Sequence, residues 1–379
     1  MALGEGPNRA VHGLVRRWQE SGNEVTVMTG SPETAETPGV RTRFSLLNRF
    51  LFPLLRSYVW LPRSRTEMEE YDAILDVGRT LTLHLYQRIF GGRPAFVQFH
   101  QIMYLADRVN RRNFVSRIRS FALEYLTISL ARKLIVVGEA HKKWMVALYG
   151  NEEKFAVIPN GVSLSEFKRS RKTRSNSILF VGNLSVHFDS KGVPTLLKAF
   201  SAFAKTSKDC TLIFAGKPNQ RLDAMCRELG ITDRVRYLGV LDKAKLVEQY
   251  NTARALVLPS IMDSDGLVVK EAMACGLPVI VSDGVGSSDV VLAANAGMTF
   301  PVNDHLSLRS CLDAIVNDET LASELGNNGR LYAEANLAWD KVAEDYLNLF
   351  KAGQKASPEP HLALLVSPIA SQGVPKTTR

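Results

Sequence analysis

The chain has 379 residues, 45% apolar and 22% charged, with a formal net charge of +9, the profile of a globular protein of about two domains and not of a disordered, collagenous or disulfide-framed one. Cys210, Cys226, Cys275 and Cys311 are scattered without CxxC spacing, so neither a zinc site nor a disulfide set is expected, and they read as small core residues in a reducing compartment. No secretory leader and no apolar run long enough for a membrane span is visible, which makes the cytoplasm the expected location.

In chain order, Gly4-Glu5-Gly6-Pro7 reads as a loop. A helix over Asn8–Glu20 follows, with Val11, Leu14, Val15 and Trp18 on one face, and then a strand over Glu24–Thr29. Arg41–Arg65 holds six arginines and no acid, interleaved with apolar and aromatic side chains such as Phe44, Phe50, Tyr58 and Trp60. Arg108–Arg119 adds five arginines, again without an acid after Arg108. Two readings of these basic stretches stand side by side: a surface that docks on anionic lipid, making the protein peripheral on the inner face of a membrane, or core helices with a solvated basic face. Nucleic acid is not an expected partner, since no recognised binding motif accompanies the charge.

Tyr71–Val77 and Pro94–Phe99 read as strands, the second ending at His100. A residue there lies at the carboxyl end of a parallel strand, where open α/β sheets bind ligands. Leu134–Val137 is a further strand, and Val157–Val162 ends a strand in an Asn-Gly turn. The expected organisation is a first domain over 1–160, a second over 161–336, a helix over 337–353 returning to the first, and a disordered tail over 354–379, rich in Pro, Ser and Ala.

In the second half, Ser177–Val181 is a strand that opens onto Gly182-Asn183-Leu184, with Lys191-Gly192 before the next helix. Thr211–Ala215 leads to Gly216-Lys217, Arg234–Val240 is another strand region, and Ala255–Leu258 is a short apolar run bounded by Pro259. A polar loop with Asp263, Asp265 and Gly266 follows, then a helix over Leu267–Cys275, a stop at Gly276-Leu277-Pro278 and the strand Val279–Val281. Alternating strands and helices predict an α/β, doubly wound parallel domain. The loop lies at the carboxyl end of a strand and the amino end of a helix, where free N–H groups and the helix dipole favour an anion. Glu271, about a turn into that helix, can accept hydrogen bonds from ligand hydroxyls. Asp263-Ser264-Asp265 also fits a DxD metal pattern, but magnesium needs more oxygen ligands than this, so no metal site is expected.

The run DSDGLVVKEAMACGLPV, Asp263–Val279, resembles the Glu-x7-Glu region of glycosyltransferase family 4, with Asp263 where the family has its first Glu and Asp265 where it has an aromatic. GNEVTVMT, YDAILDV and VIPNGV resemble further family segments. The resemblance implies the GT-B fold, two Rossmann-like doubly wound domains facing across a cleft. It implies a retaining enzyme that moves a sugar from a nucleotide-sugar donor to a glycan or lipid-linked acceptor in envelope polysaccharide or glycoconjugate synthesis, with no metal or other cofactor.

By the same resemblance, Glu271 would hold the ribose hydroxyls, and the Gly266, Leu267 and Val268 amides with Lys191 the diphosphate. Gly182, Asn183 and Gly216 would line the donor site, and the backbone at Leu238 would meet the nucleobase. His100 would contact the donor sugar, Gly4 and Gly6 would lie on the acceptor side, and His100, Asp263 and Glu271 form the catalytic set. Asn183 replaces the family's diphosphate-binding Arg, Glu139 follows Gly138 where Ser precedes Glu, and Ser288-Asp289 replace Pro-Glu. The family's first strand is missing ahead of Gly4, for which three explanations stand: a misassigned start, a truncated copy, or another segment filling the gap. An inactive homologue that binds nucleotide or a partner, and a nucleotide-sugar hydrolase or epimerase on the same fold, are the alternative functions.

Overall fold

The computed structural model describes residues 6–29, 71–77, 81–90, 95–99, 102–109, 112–170, 172–207, 209–352 and 362–366. Gly4, His100, the arginine-rich stretch Arg41–Arg65 and the remainder of the tail lie outside the described residues. The chain divides into two units, one built from residues 1–137, 142–158 and 343–379, the other from 138–141 and 159–342.

The first unit holds a six-stranded parallel sheet. Its strands are β1 (Val25–Thr29), β2 (Ala73–Asp76), β3 (Ala95–Phe99), β4 (Lys133–Val136), β5 (Phe155–Val157) and β12 (Leu362–Val366), in the order β1-β12-β2-β3-β4-β5. Its helices are α1 (Gly6–Glu20), α2 (Leu81–Phe90), α3 (Met103–Val109), α4 (Phe114–Leu130) and α5 (Glu139–Tyr149), the last running out of the second unit. Gly6 therefore opens α1, two residues ahead of the expected helix start, and is not part of a free loop.

β12 corrects the expectation of a disordered tail. It pairs in parallel with β1 (Val25↔Leu362 to Thr29↔Val366) on one side and with β2 (Leu362↔Ala73 to Leu365↔Asp76) on the other. The Leu362 N–H donates to Glu24 O at 2.7 Å, and the Leu362 side chain is buried. The slot between β1 and β2 is thus taken by a segment from the carboxyl end of the chain. The physical reason is pairing, because a hole at this position would strand the backbone groups of β1 and β2, and Leu-Ala-Leu-Leu-Val is the kind of apolar run that a parallel sheet buries on both faces. Pro- and Ser-rich flanks hid that five-residue run.

α14 (Trp339–Ala352) joins this unit from Ala343 onward. Trp18 of α1 is buried against it, its ring centroid 5.9 Å from both Tyr346 and Phe350, and its indole N–H donates to Ala343 O at 3.1 Å.

The second unit carries the other six-stranded parallel sheet, order β11-β10-β9-β6-β7-β8. Its strands are β6 (Ser177–Val181), β7 (Thr211–Ala215), β8 (Val235–Tyr237), β9 (Ala255–Leu258), β10 (Val279–Ser282) and β11 (Gly297–Phe300). Helices α6 (Leu184–His187), α7 (Val193–Ala204), α8 (Arg221–Glu228), α9 (Lys243–Thr252), α10 (Leu267–Ala274), α11 (Ser288–Ala293), α12 (His305–Asn317) and α13 (Glu319–Asn336) connect and flank them. Asp242, Asp304 and Asp318 cap α9, α12 and α13 by accepting from first-turn N–H groups. β9 and β10 are buried along their whole length at the centre of the core, so the loop between β9 and α10 starts from the most firmly held part of the sheet.

Candidate functional site

Three sheet-end loops of the second unit build the site. The first follows β6. Asn183 caps the single turn of α6, its Oδ1 accepting from the Ser185 N–H at 3.1 Å and from the Ser185 hydroxyl at 2.7 Å. Its side chain is thus spent on its own loop, and the position offers no cation. Gly182 N–H donates to Ala215 O at 2.9 Å.

The second loop follows β7. Gly216 has φ 144° and packs so tightly that a Cβ there would stand 1.8 Å from Gly182 O, so no other residue fits between the two strand ends. Its N–H donates to Gly239 O at 2.8 Å, and the Tyr237 hydroxyl donates to its carbonyl at 2.6 Å. Leu238 is tied to β7 by its N–H to Phe214 O at 2.9 Å. Gly182, Gly216 and Leu238 therefore share one end of the sheet.

The third loop, between β9 and α10, carries the charges. Asp263 accepts from Lys191 Nζ, which comes from the segment just before α7, and from the Gly266 N–H at 3.1 Å. Gly266 sits at φ 67°, the left-handed region, as the cap of α10; a Cβ there would meet Leu258 Cδ2 at 2.9 Å. Burial by itself pushes the Asp263 carboxyl up, but the Lys191 ammonium and the Gly266 amide outweigh it and hold the group below the ordinary carboxylate value. The first-turn N–H groups of α10, at Leu267 and Val268, have no carbonyl a turn behind them within the helix.

Asp265 is not a solvated loop acid. It is 7% exposed and accepts from Lys270 Nζ, itself 0% exposed, and from Asn160 Nδ2 at 2.8 Å. Burial raises its carboxyl above the ordinary value, against the pull of Lys270 and Asn160. With Asp263 on Lys191 and Asp265 on Lys270, the two acids of the DxD pattern point to different lysines rather than to one shared cation. Glu271 is also buried, and the buried Tyr250 hydroxyl donates to its Oε2 at 2.8 Å.

The structure thus brings Lys191, Asp263 and Gly266 together at the amino end of α10, with Glu271 one turn in. Sequence reasoning missed Tyr250, Asn160 and Lys270 as parts of this site. It also missed three buried serine hydroxyls around the same loops, those of Ser260, Ser264 and Ser287, which have no hydrogen-bond partner. A lysine beside an aspartate five residues back, Asp265 and Lys270, was the one signal present in the sequence. A buried hydroxyl without a partner is costly in a finished core.

The chain's two halves match two family models: residues 4–166 match "Glycosyltransferase Family 4" and residues 163–332 match "Glycosyl transferases group 1". An uncharacterized glycosyltransferase of Methanocaldococcus jannaschii is 28% identical over 248 residues, 61% of this chain and 62% of that protein. The match thus spans about three fifths of the relative's length. Among solved structures, sucrose-phosphate synthase from Thermosynechococcus elongatus superposes with TM-score 0.74 at 22% identity over 92% of this chain and 94% of the other. Anabaena HepE in complex with UDP-glucose does so with TM-score 0.71 at 16% identity, over 93% and 97%. At these identities the likeness speaks for the fold.

Proposed function

The chain belongs to glycosyltransferase family 4 and has its GT-B fold, and we propose that it transfers a sugar from a nucleoside-diphosphate-sugar donor to a glycan or lipid-linked acceptor, with the anomeric configuration retained. The setting we propose is the cytoplasm, in envelope polysaccharide or glycoconjugate synthesis. One observation carries the reading: Lys191, Asp263 and the cap of α10 meet at the carboxyl end of the sheet, with Glu271 oriented by Tyr250 behind them.

In this reading the donor diphosphate replaces Asp263 as the partner of Lys191 and accepts from the Leu267 and Val268 amides. Lysine, amides and helix dipole are in place before the bond breaks, which is what stabilises charge gathering on a leaving diphosphate. The anomeric carbon–oxygen bond to the diphosphate breaks, the acceptor oxygen bonds to that carbon, and its proton leaves on the diphosphate. No other cofactor enters the scheme, and Asp263 acts by placing Lys191 and the Gly266 turn. Asn183 in place of a second cation makes Lys191 the principal positive side chain at the diphosphate, so binding should depend on it heavily. HepE is a protein of the same fold whose structure holds UDP-glucose, which makes uridine donors the first to try.

The test is incubation with a panel of nucleotide sugars, with and without glycan and lipid-linked acceptors, following nucleoside diphosphate release and the anomeric configuration of any product by NMR. Acceptor-dependent release with a retained anomer supports the proposal. Free sugar released equally well without acceptor would instead identify a hydrolase, and an inverted product would remove the retaining scheme.

A further inference from the structure

α4 is an amphipathic helix turned inside out. Its buried side carries Ser120, Glu124 and Thr127 alongside Leu123 and Ile128. These polar groups are fastened inside: Ser120 Oγ donates to Asp107 at 2.7 Å, Tyr149 OH to Glu124 at 2.6 Å, and Thr127 Oγ1 to Leu123 O at 2.8 Å. Its outer side carries Phe114, Val115, Ile118, Tyr125 and Leu126, of which Phe114 and Val115 are 69% and 74% exposed. α2 packs against α4 and is held from behind by buried His84, whose Nε2 lies 3.1 Å from Asp76 Oδ2 on β2. It adds Leu85 and Ile89 to the outer face.

Of thirteen exposed large apolar side chains among the described residues, eight stand on these two helices. Concentration on this scale, against a background of scattered single residues, marks an interaction surface. The charge on the face is of one sign. Arg88, Arg119 and Arg132 are exposed on or beside it, and Glu124, the single acid within the two helices, is buried. Apolar residues flanked by arginines, with no exposed acid on either helix, match the boundary of an anionic bilayer, where the rings and aliphatic groups enter the acyl edge and the guanidinium groups meet the headgroups. No described helix is long and apolar enough to cross a membrane, so the geometry is that of a helix pair lying on the surface.

We propose that the α2–α4 face docks the first unit onto an anionic lipid bilayer. The surface is independent of the donor reading: it would hold with any activity of the second unit, and its test involves no nucleotide.

The experiment is co-sedimentation of the full-length protein with vesicles of phosphatidylcholine alone or with about 30% phosphatidylglycerol, at low and high salt. The expected result is binding to the anionic vesicles that weakens with salt. Ile118→Asp should lower it at least tenfold, and Arg119→Glu by about fivefold or more, a single charge near such a surface corresponding to about 1 kcal/mol. Both side chains are exposed, so thermal melts should match the parent, and Leu331→Asp, which changes an exposed leucine of the second unit, should bind vesicles normally. The proposal is overturned if the parent ignores anionic vesicles at low salt. It is also overturned if Ile118→Asp binds them as the parent does, or if light scattering shows a dimer that Ile118→Asp dissociates while vesicle binding stays absent, which would give the face to a second copy of the chain.

Discussion

The strand Leu362–Val366 supports a sharp quantitative test. Leu362 is 1% exposed and stands between Val25 and Ala73 in the two flanking strands. Leu362→Ala removes buried carbon from a site whose neighbours are fixed by two ladders, a change that costs about 2–5 kcal/mol in a well-packed core. Taking ~3 kcal/mol, opening of the sheet around β12 should become about a hundredfold more frequent. Because a two-unit chain need not unfold in one step, the suitable assay is amide hydrogen exchange of the full-length protein, read separately for β1, β2 and the strands of the second unit. β1, β12 and β2 should lose protection together, while β9 and β10 keep theirs. Leu306→Ala, at a side chain 62% exposed, serves as the control and should change protection by less than ~0.5 kcal/mol. If residues 362–366 exchange like an unstructured segment in the parent, or if Leu362→Ala leaves β1 and β2 as protected as before, the pairing described for this sheet is wrong.

Other expectations are as direct. Tyr250→Phe removes the hydroxyl that orients buried Glu271, so nucleotide affinity measured by calorimetry should fall about tenfold, for a loss of ~1–3 kcal/mol. Lys270→Met leaves Asp265 buried beside Asn160 without its cation and should lower stability by about 3–5 kcal/mol in urea titrations, whereas Lys270→Met with Asp265→Leu should recover most of it. Asp263 has a folded pKa below its ordinary value, so its contribution to stability is complete above that ordinary value and disappears as pH falls through the folded one. The parent should therefore lose stability below about pH 4 more steeply than Asp263→Asn. Burial pushes Cys210 and Cys226 up to about 11 and Cys275 to about 12. Native-state alkylation at pH 8 should label these thiols about a hundredfold or more slowly than a free cysteine, as mass spectrometry would show.

The motif around Asp263–Val279 was legible because its function is local: turn, helix cap and acid lie within seventeen consecutive residues, and glycines report the turn that a loop must make. Lys191 was legible for the same reason, through the glycine beside it. Tyr250, Asn160 and the three serines were not, because a buried hydroxyl or amide becomes part of a site only when residues distant in sequence fold around it. The burial of Asp265 was not legible either, since nothing in the sequence shows that Asn160, more than a hundred positions away, closes over it. β12 was hidden by its position. Five apolar residues among prolines and serines read as tail until a sheet with an empty interior slot supplies them with partners on both sides. The inverted helix α4 shows the same limit: its periodicity marks an amphipathic helix, but only packing reveals which face is inside.

The central claim is that the end of the second sheet around α10 binds a nucleoside-diphosphate sugar. Its most direct test is a thermal-shift series with nucleotides and nucleotide sugars, comparing the parent with Glu271→Ala. The account predicts that at least one nucleoside diphosphate or its sugar raises the parent's melting temperature in a concentration-dependent way, and that Glu271→Ala abolishes the shift while remaining folded. An equal shift in the two proteins would place the nucleotide elsewhere, and no shift with any donor would contradict the account.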